Sequence, residues 1–135
     1  MDVPKPKTVL IIDDEANFRE IFSATLTAAG YHTETANGGE EGVKKVKELR
    51  PDLVLLDIKM PGMTGEEVLA TLRRDPTTSF TKVIFTTSVG DPSDIETDTA
   101  LAEKFGADGY INKAEDLKKF VELVNSYSGA SRVGP

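Results

Sequence analysis

TVLIIDDEANF, residues 8–18, begins like a buried strand and turns at once into three consecutive acids. Val9, Leu10, Ile11 and Ile12 form a continuous apolar run rather than an alternation. A run of that kind marks a strand covered on both faces, as in parallel sheets. PDLVLLD (51–57) and KVIFTT (82–87) repeat its character. YHTETA (31–36) alternates and suits a sheet edge, and DGYINK (108–113) supplies a fifth strand.

Between these strands apolar residues return at three- and four-residue spacing, the period of a helix. Phe18, Ile21, Phe22, Thr25, Leu26 and Ala29 make the first stripe, which Gly30 stops. Val43, Val46 and Leu49 make the second, ended ahead of Pro51. Val68, Leu69 and Leu72 make the third, after Gly65. A fourth helix starts at SDIE, where Ser93 and Glu96 have capping-box spacing, and carries Ile95, Leu101, Ala102 and Phe105. Leu117, Phe120, Val121 and Val124 make the fifth. The pattern is (βα)5. Right-handed crossovers and two-sided cover predict an α/β protein with an open, doubly wound sheet of five parallel strands. The flavodoxin-like order 2-1-3-4-5 is the common one for such sheets. Ligands then sit beyond the carboxyl ends of the strands, where the strand order reverses.

Bulk properties agree with one soluble domain. The chain has 135 residues, within the usual domain length of about 100–200. Sixteen basic against 23 acidic residues leave a net charge of −7, which argues against direct contact with nucleic acid. No cysteine is present, so disulfides and thiolate metal sites are excluded. MDVPKPK at the start does not resemble a signal peptide, and no run approaches the ~18 apolar residues of a membrane span. A cytoplasmic protein fits best.

The predicted strand ends gather chemistry. The first ends in Asp13 and Asp14, the third in Asp57, the fourth in Thr87 and Ser88, and the fifth in Lys113. Each alone has a plain explanation: a strand-terminal Asp caps the next helix, Thr87 is a β-former, Lys113 is a solvated loop lysine. Together they are harder to explain that way. Two carboxylates ~4 Å apart repel by roughly 4 kcal/mol at an effective dielectric near 20. A third brings the cost close to a small domain's net stability of ~5–15 kcal/mol. Lys113 offsets one charge, so either a carboxylate takes up a proton or a cation binds. An all-oxygen site suits Mg²⁺, with Mn²⁺ the alternative. A carboxylate can also attack phosphorus to give an acyl phosphate. Asp57, alone at the end of the most apolar strand, is the better nucleophile; Asp13 and Asp14 are a pair suited to metal.

VLIIDDE, PDLVLLDIKMPGMTGEEVL, VIFTTS and GADGYINK, in that order, resemble the receiver (REC) domain of bacterial two-component response regulators. The likeness runs from about Thr8 to Tyr127. It implies a tail at 1–7, the receiver at 8–127, and a tail or linker start at 128–135. It also implies a switch, rather than a turnover enzyme, that accepts a phosphoryl group on Asp57 from a histidine kinase or phosphotransfer protein. By the same resemblance Asp14 is a direct Mg²⁺ ligand, Asp13 acts through water, and Lys59 lends its backbone carbonyl. Thr87 is the hydroxyl that swings toward the phosphoryl group, Lys113 the site lysine, and Tyr110 the aromatic that turns with Thr87. MPGMTG (60–65) forms the turn below the site. The face of fourth helix, fifth strand and fifth helix would then dock a downstream protein, a further output domain or a second copy. No second core follows, so a stand-alone or an excised receiver is expected.

The chain departs from the family in two places. Ala114 follows Lys113 where many receivers have a proline joined by a cis bond, so either a strained cis bond remains or the last helix is re-aimed. The 26 residues from Thr87 to Lys113 are several more than usual, with the surplus expected in 88–98 around Gly90 and Pro92. Rival readings fit less well. A haloacid-dehalogenase-like phosphatase wants an acid two positions after its nucleophile, where Lys59 stands. An FMN binder wants glycines and hydroxyls where the first acids lie. A pseudo-receiver that only binds partners is the remaining alternative.

Overall fold

The computed structural model describes residues 5–88, 100 and 103–129. The strands are β1 (Thr8–Ile12), β2 (His32–Ala36), β3 (Leu53–Asp57), β4 (Val83–Thr87) and β5 (Gly109–Asn112). Helices α1 (Ala16–Ala28), α2 (Gly39–Leu49) and α3 (Gly65–Arg74) connect the first four strands. Residues 100 and 103–105 are helical and belong to α4; α5 (Leu117–Gly129) ends the described chain. The expected start of α4 at Ser93 and Glu96, its positions Ile95, Leu101 and Ala102, and the loop around Gly90 and Pro92 lie outside the described residues. So do residues 130–135 and 1–4.

All strand pairs are parallel, in the order β2-β1-β3-β4-β5. The order reverses between β1 and β3, which opens a crevice at their carboxyl ends. Side chains alternate across the sheet and build two cores. Leu10, Ile12, Val54, Leu56, Val83 and Phe85 face α2 and α3 through Val46, Val68, Leu69 and Leu72. Val9, Ile11, Leu53, Leu55, Ile84 and Ile111 face α1 and α5 through Phe22, Leu26, Phe120 and Val124. The continuous apolar runs therefore supply both layers. Four stripe positions behave otherwise: Ile21, Leu49 and Leu117 are 45%, 40% and 46% exposed, and Ala29, just past the end of α1, is exposed as well. Leu49 and Leu117 are terminal helix residues, and Phe22 and Leu26 already fill the face that α1 presents to the sheet. No described helix is long and apolar enough to cross a membrane.

Helix ends are set by local chemistry and by distant partners. Gly30, at φ +102°, turns the chain after α1, and Arg50, at φ +47°, ends α2. Thr64 and Glu67 form a capping box at the start of α3. At the far end of α5, Lys82 Nζ donates to the Tyr127 carbonyl at 2.6 Å and Lys7 Nζ to that of Ser128. These cations meet the negative end of the helix, which runs to Gly129.

Gly65 locks α3 beneath the third strand. A Cβ there would lie 2.5 Å from the Asp57 carbonyl oxygen and 2.7 Å from Ile58 Cα, while its N–H donates to Ile58 O at 2.9 Å. Both obstacles are backbone and cannot rotate away. Gly65→Ala is therefore expected to lose about 1–3 kcal/mol in urea unfolding. Unchanged stability would show that α3 can retreat freely from the Asp57 loop.

Candidate functional site

Asp13, Asp57 and Lys113 continue the alternation of Ile11, Leu55 and Ile111, so all three lean toward α1 and α5. All three are buried, whereas Asp14 is exposed at the mouth. Asp13, Asp14 and Asp57 each place a carboxylate oxygen within 4.8 Å of the others. Lys113 Nζ stands 2.6 Å from Asp13 Oδ2, 3.4 Å from Asp57 Oδ2 and 3.9 Å from Glu15 Oε1. The structure thus gathers three chain segments, each more than 40 positions from the next, into one cluster of three acids and one buried cation.

Local bonds hold the parts. The Glu15 N–H donates to Asp13 Oδ1 at 2.9 Å, and Arg19 Nη1 donates to the Asp13 carbonyl at 2.8 Å. Lys59 is exposed; its N–H faces Asp57 Oδ1 at 3.4 Å. Burial pushes the Asp57 carboxyl up to about 7. Lys113 pulls it down, and the charge of Asp13 and the hydrogen bond with Asp14 raise it again. The dehydration of this carboxylate is thus only partly offset by its lysine. A hard divalent cation fits that deficit and this all-oxygen donor set.

Thr87 lies on the other face of the sheet. With Asp57, Ile58, Lys59 and Ser88 it lines a cleft of 10 Å³, room for about one water. Thr87 pairs with Asn112 and Phe85 with Tyr110, which makes Thr87 and Tyr110 diagonal neighbours on one face. Tyr110 is half-buried against the α2–α3 core and lines a surface pocket of 290 Å³ with Glu115, Lys119, Leu123 and Tyr127.

The turn after β5 differs from the cis arrangement considered above. No cis bond occurs among the described residues, and the N–H of Ala114 donates to Asn112 Oδ1 at 2.8 Å. Glu115 N–H donates to Asn112 O at 3.1 Å, and Lys113 N–H to Thr87 O at 2.7 Å. Asn112 thus closes an Asx turn that uses an N–H a proline would lack. Ala114→Pro and Asn112→Ala are each expected to cost about 1 kcal/mol, and together little more, since both remove one bond. Full additivity in denaturant unfolding would show that the Asn112 bond contributes nothing.

Phe18, Arg19, Glu15 and Asn112 were absent from the sequence-based site. Phe18 is legible in sequence as a core-stripe residue, and nothing local shows that its ring reaches Lys113.

Comparison with known proteins points one way. The model of the family described as response regulator receiver domain matches residues 9–125. The DNA-binding response regulator MtrA of Mycobacterium tuberculosis is 36% identical over 118 residues, 87% of this chain and 49% of MtrA. The chain therefore spans about half the length of that relative. The polar-differentiation response regulator DivK of Brucella anthropi is 32% identical over 124 residues, 92% of this chain and 98% of DivK. The solved chemotaxis response regulator CheY4 of Vibrio cholerae superposes with a TM-score of 0.80 at 29% identity, covering 90% of this chain and 98% of that one.

Proposed function

Because this chain belongs to the response regulator receiver domain family, we propose that it is a phosphorylation-dependent signalling switch with Asp57 as phosphoacceptor. The observation that carries this is Lys113 wedged between the buried Asp13 and Asp57, with Asp14 completing the acid cluster. An oxygen of Asp57 forms the new bond to phosphorus as the bond from phosphorus to a donor imidazole nitrogen breaks. The nitrogen keeps the electron pair. Lys113 then neutralises a phosphoryl oxygen, and the Lys59 N–H, now facing Asp57, offers a further donor.

Asp14 and Asp57 would hold Mg²⁺ or Mn²⁺ directly, Asp13 through water, and the Lys59 carbonyl would complete the shell. When bound, such an ion would supply positive charge that offsets the carboxylate and phosphoryl oxygens. The donor would be a histidine kinase or a phosphotransfer protein, met in the cytoplasm. The domain accepts and later hydrolyses its own phosphoryl group and is not a turnover enzyme.

A new dianion beside Thr87 attracts its hydroxyl and withdraws it from the face it shares with Tyr110. Tyr110 turns into that space, which repacks the surface of α4, β5 and α5. The effect is a shift between two existing populations. That surface would meet a downstream protein, an output domain or a second copy. DNA binding is named for MtrA; at a net charge of −7 this chain would leave such contact to another domain or partner.

Incubation with a small phosphodonor, with and without Mg²⁺, followed by intact mass, tests the reading. It predicts a metal-dependent gain of one phosphoryl group. No gain would leave a partner-binding module, and steady phosphate release from unrelated esters would indicate a phosphatase.

A further inference from the structure

We infer that Phe18 is a positioning residue for Lys113, its ring face holding the lysine ammonium in place above the acid cluster. The inference rests on the phosphoacceptor reading of the site. An ammonium has three N–H bonds to satisfy. Asp13, Asp57 and the exposed Glu15 lie within ion-pair reach, at 2.6, 3.4 and 3.9 Å, and Nζ is closed off from water. The ring of Phe18 stands 4.4 Å from Nζ. A ring at that distance presents negative charge density to a cation that has lost its hydration.

The ring's own position is fixed from below. Phe18 meets Phe22 at 5.5 Å between centroids, and Phe22 meets Phe120 edge-on at 4.4 Å. Phe22 and Phe120 are buried members of the α1–α5 core. A row of aromatics therefore runs from the centre of the domain to the reacting atoms. Lys113 arrives from the other side, its backbone tied to Thr87 O at 2.7 Å. A leucine at 18 would keep an apolar neighbour but give the dehydrated ammonium nothing in return. The side chain would then spend part of its time hydrated and turned away from Asp57.

Two measurements decide it. In the metal-free protein the ε-methylene protons of Lys113 should show an upfield ring-current displacement by NMR, lost in Phe18→Leu. Mono-, tri- and pentafluorinated phenylalanines placed at position 18 drain the ring face with little change of size. Labelling by acetyl phosphate at saturating Mg²⁺ should slow stepwise along that series, to about one-fifth of wild type at the pentafluoro ring and in Phe18→Leu. Phe18→Tyr should stay within about two-fold of wild type. Mg²⁺ affinity by calorimetry should not weaken in any of them. A flat rate along the fluorinated series, or no ring-current displacement in the wild type, overturns the inference. Should Phe18→Leu fail to fold, the fluorinated series still decides. Absence of label on the wild type would defeat the phosphoacceptor reading instead, and the NMR displacement would still judge the contact.

Discussion

Asp57→Asn should take up no phosphoryl label and, with divalent metal chelated, should be more stable than the wild type at pH 8. The first half follows from the missing nucleophile. The second follows from the cost of burying a carboxylate that has too little compensation. Unfolded, Asp57 titrates near 3.8; folded, burial raises it to about 7. Between those values the folded chain holds a proton that the unfolded chain has released. Wild-type stability therefore falls as pH rises through that window and levels off above about 7. Asparagine carries no charge and escapes the decline. Lys113 loses a partner at 3.4 Å but keeps Asp13 at 2.6 Å, so the mutation does not strand the cation. The advantage of Asp57→Asn should open between pH 4 and 7 and reach roughly 2 kcal/mol, less than the full shift would allow. Urea unfolding in chelator at pH 4 and pH 8 measures it. Added Mg²⁺ should narrow the gap, because an ion that binds the native wild type stabilises it by mass action. A wild type more stable than Asp57→Asn at pH 8 in chelator would mean that Asp57 is comfortably paired, and the case for a cation there would collapse.

The residues that made this site legible in sequence are those whose chemistry contradicts their neighbours. Val9–Ile12 and Leu53–Leu56 announce strands buried on both faces, and the acids at their ends are conspicuous for following them. The edge character of the second strand was equally plain: His32 is exposed, and only Ala36 of that strand is buried. Ile21, Ala29, Leu49 and Leu117 keep the helical period yet are exposed, because periodicity names a side of the helix and not the width of the sheet beneath it. The capping box of Thr64 and Glu67 is readable from its three-residue spacing alone. Other features had no local signal. Lys82 reaches Tyr127 across 45 residues and Lys7 reaches Ser128 across 121, so the end of α5 depends on partners that no window contains. Phe18 is the same kind of case. Its spacing with Phe22 marks a core face, and only the tertiary arrival of Lys113 gives its ring a second use.

Lys113→Ala should damage chemistry and stability together, unlike Asp57→Asn, which removes the chemistry alone. Lys113 Nζ lies between two carboxylates that are nearly closed to water, and its removal leaves them facing one another. Breaking a buried pair by deleting one partner costs about 3–5 kcal/mol. Chelated protein at pH 8 should show that loss, and the loss should shrink as pH falls and Asp57 takes up a proton. Labelling should fall by roughly 10²–10³-fold, the usual effect of deleting one donor to a developing anion. Mg²⁺ binding should survive, since Asp13, Asp14 and Asp57 all remain. Metal therefore restores fold without restoring rate, which separates the two roles. Lys113→Met, which keeps most of the side-chain volume beside Phe18, should give the same slow labelling. The double mutant with Asp57→Asn discriminates most sharply: with one carboxylate neutralised, the stability cost of losing Lys113 should drop by at least half. If instead Lys113→Ala labels normally and loses Mg²⁺, the lysine serves the metal shell, and the assignment of its charge to the phosphoryl group is wrong.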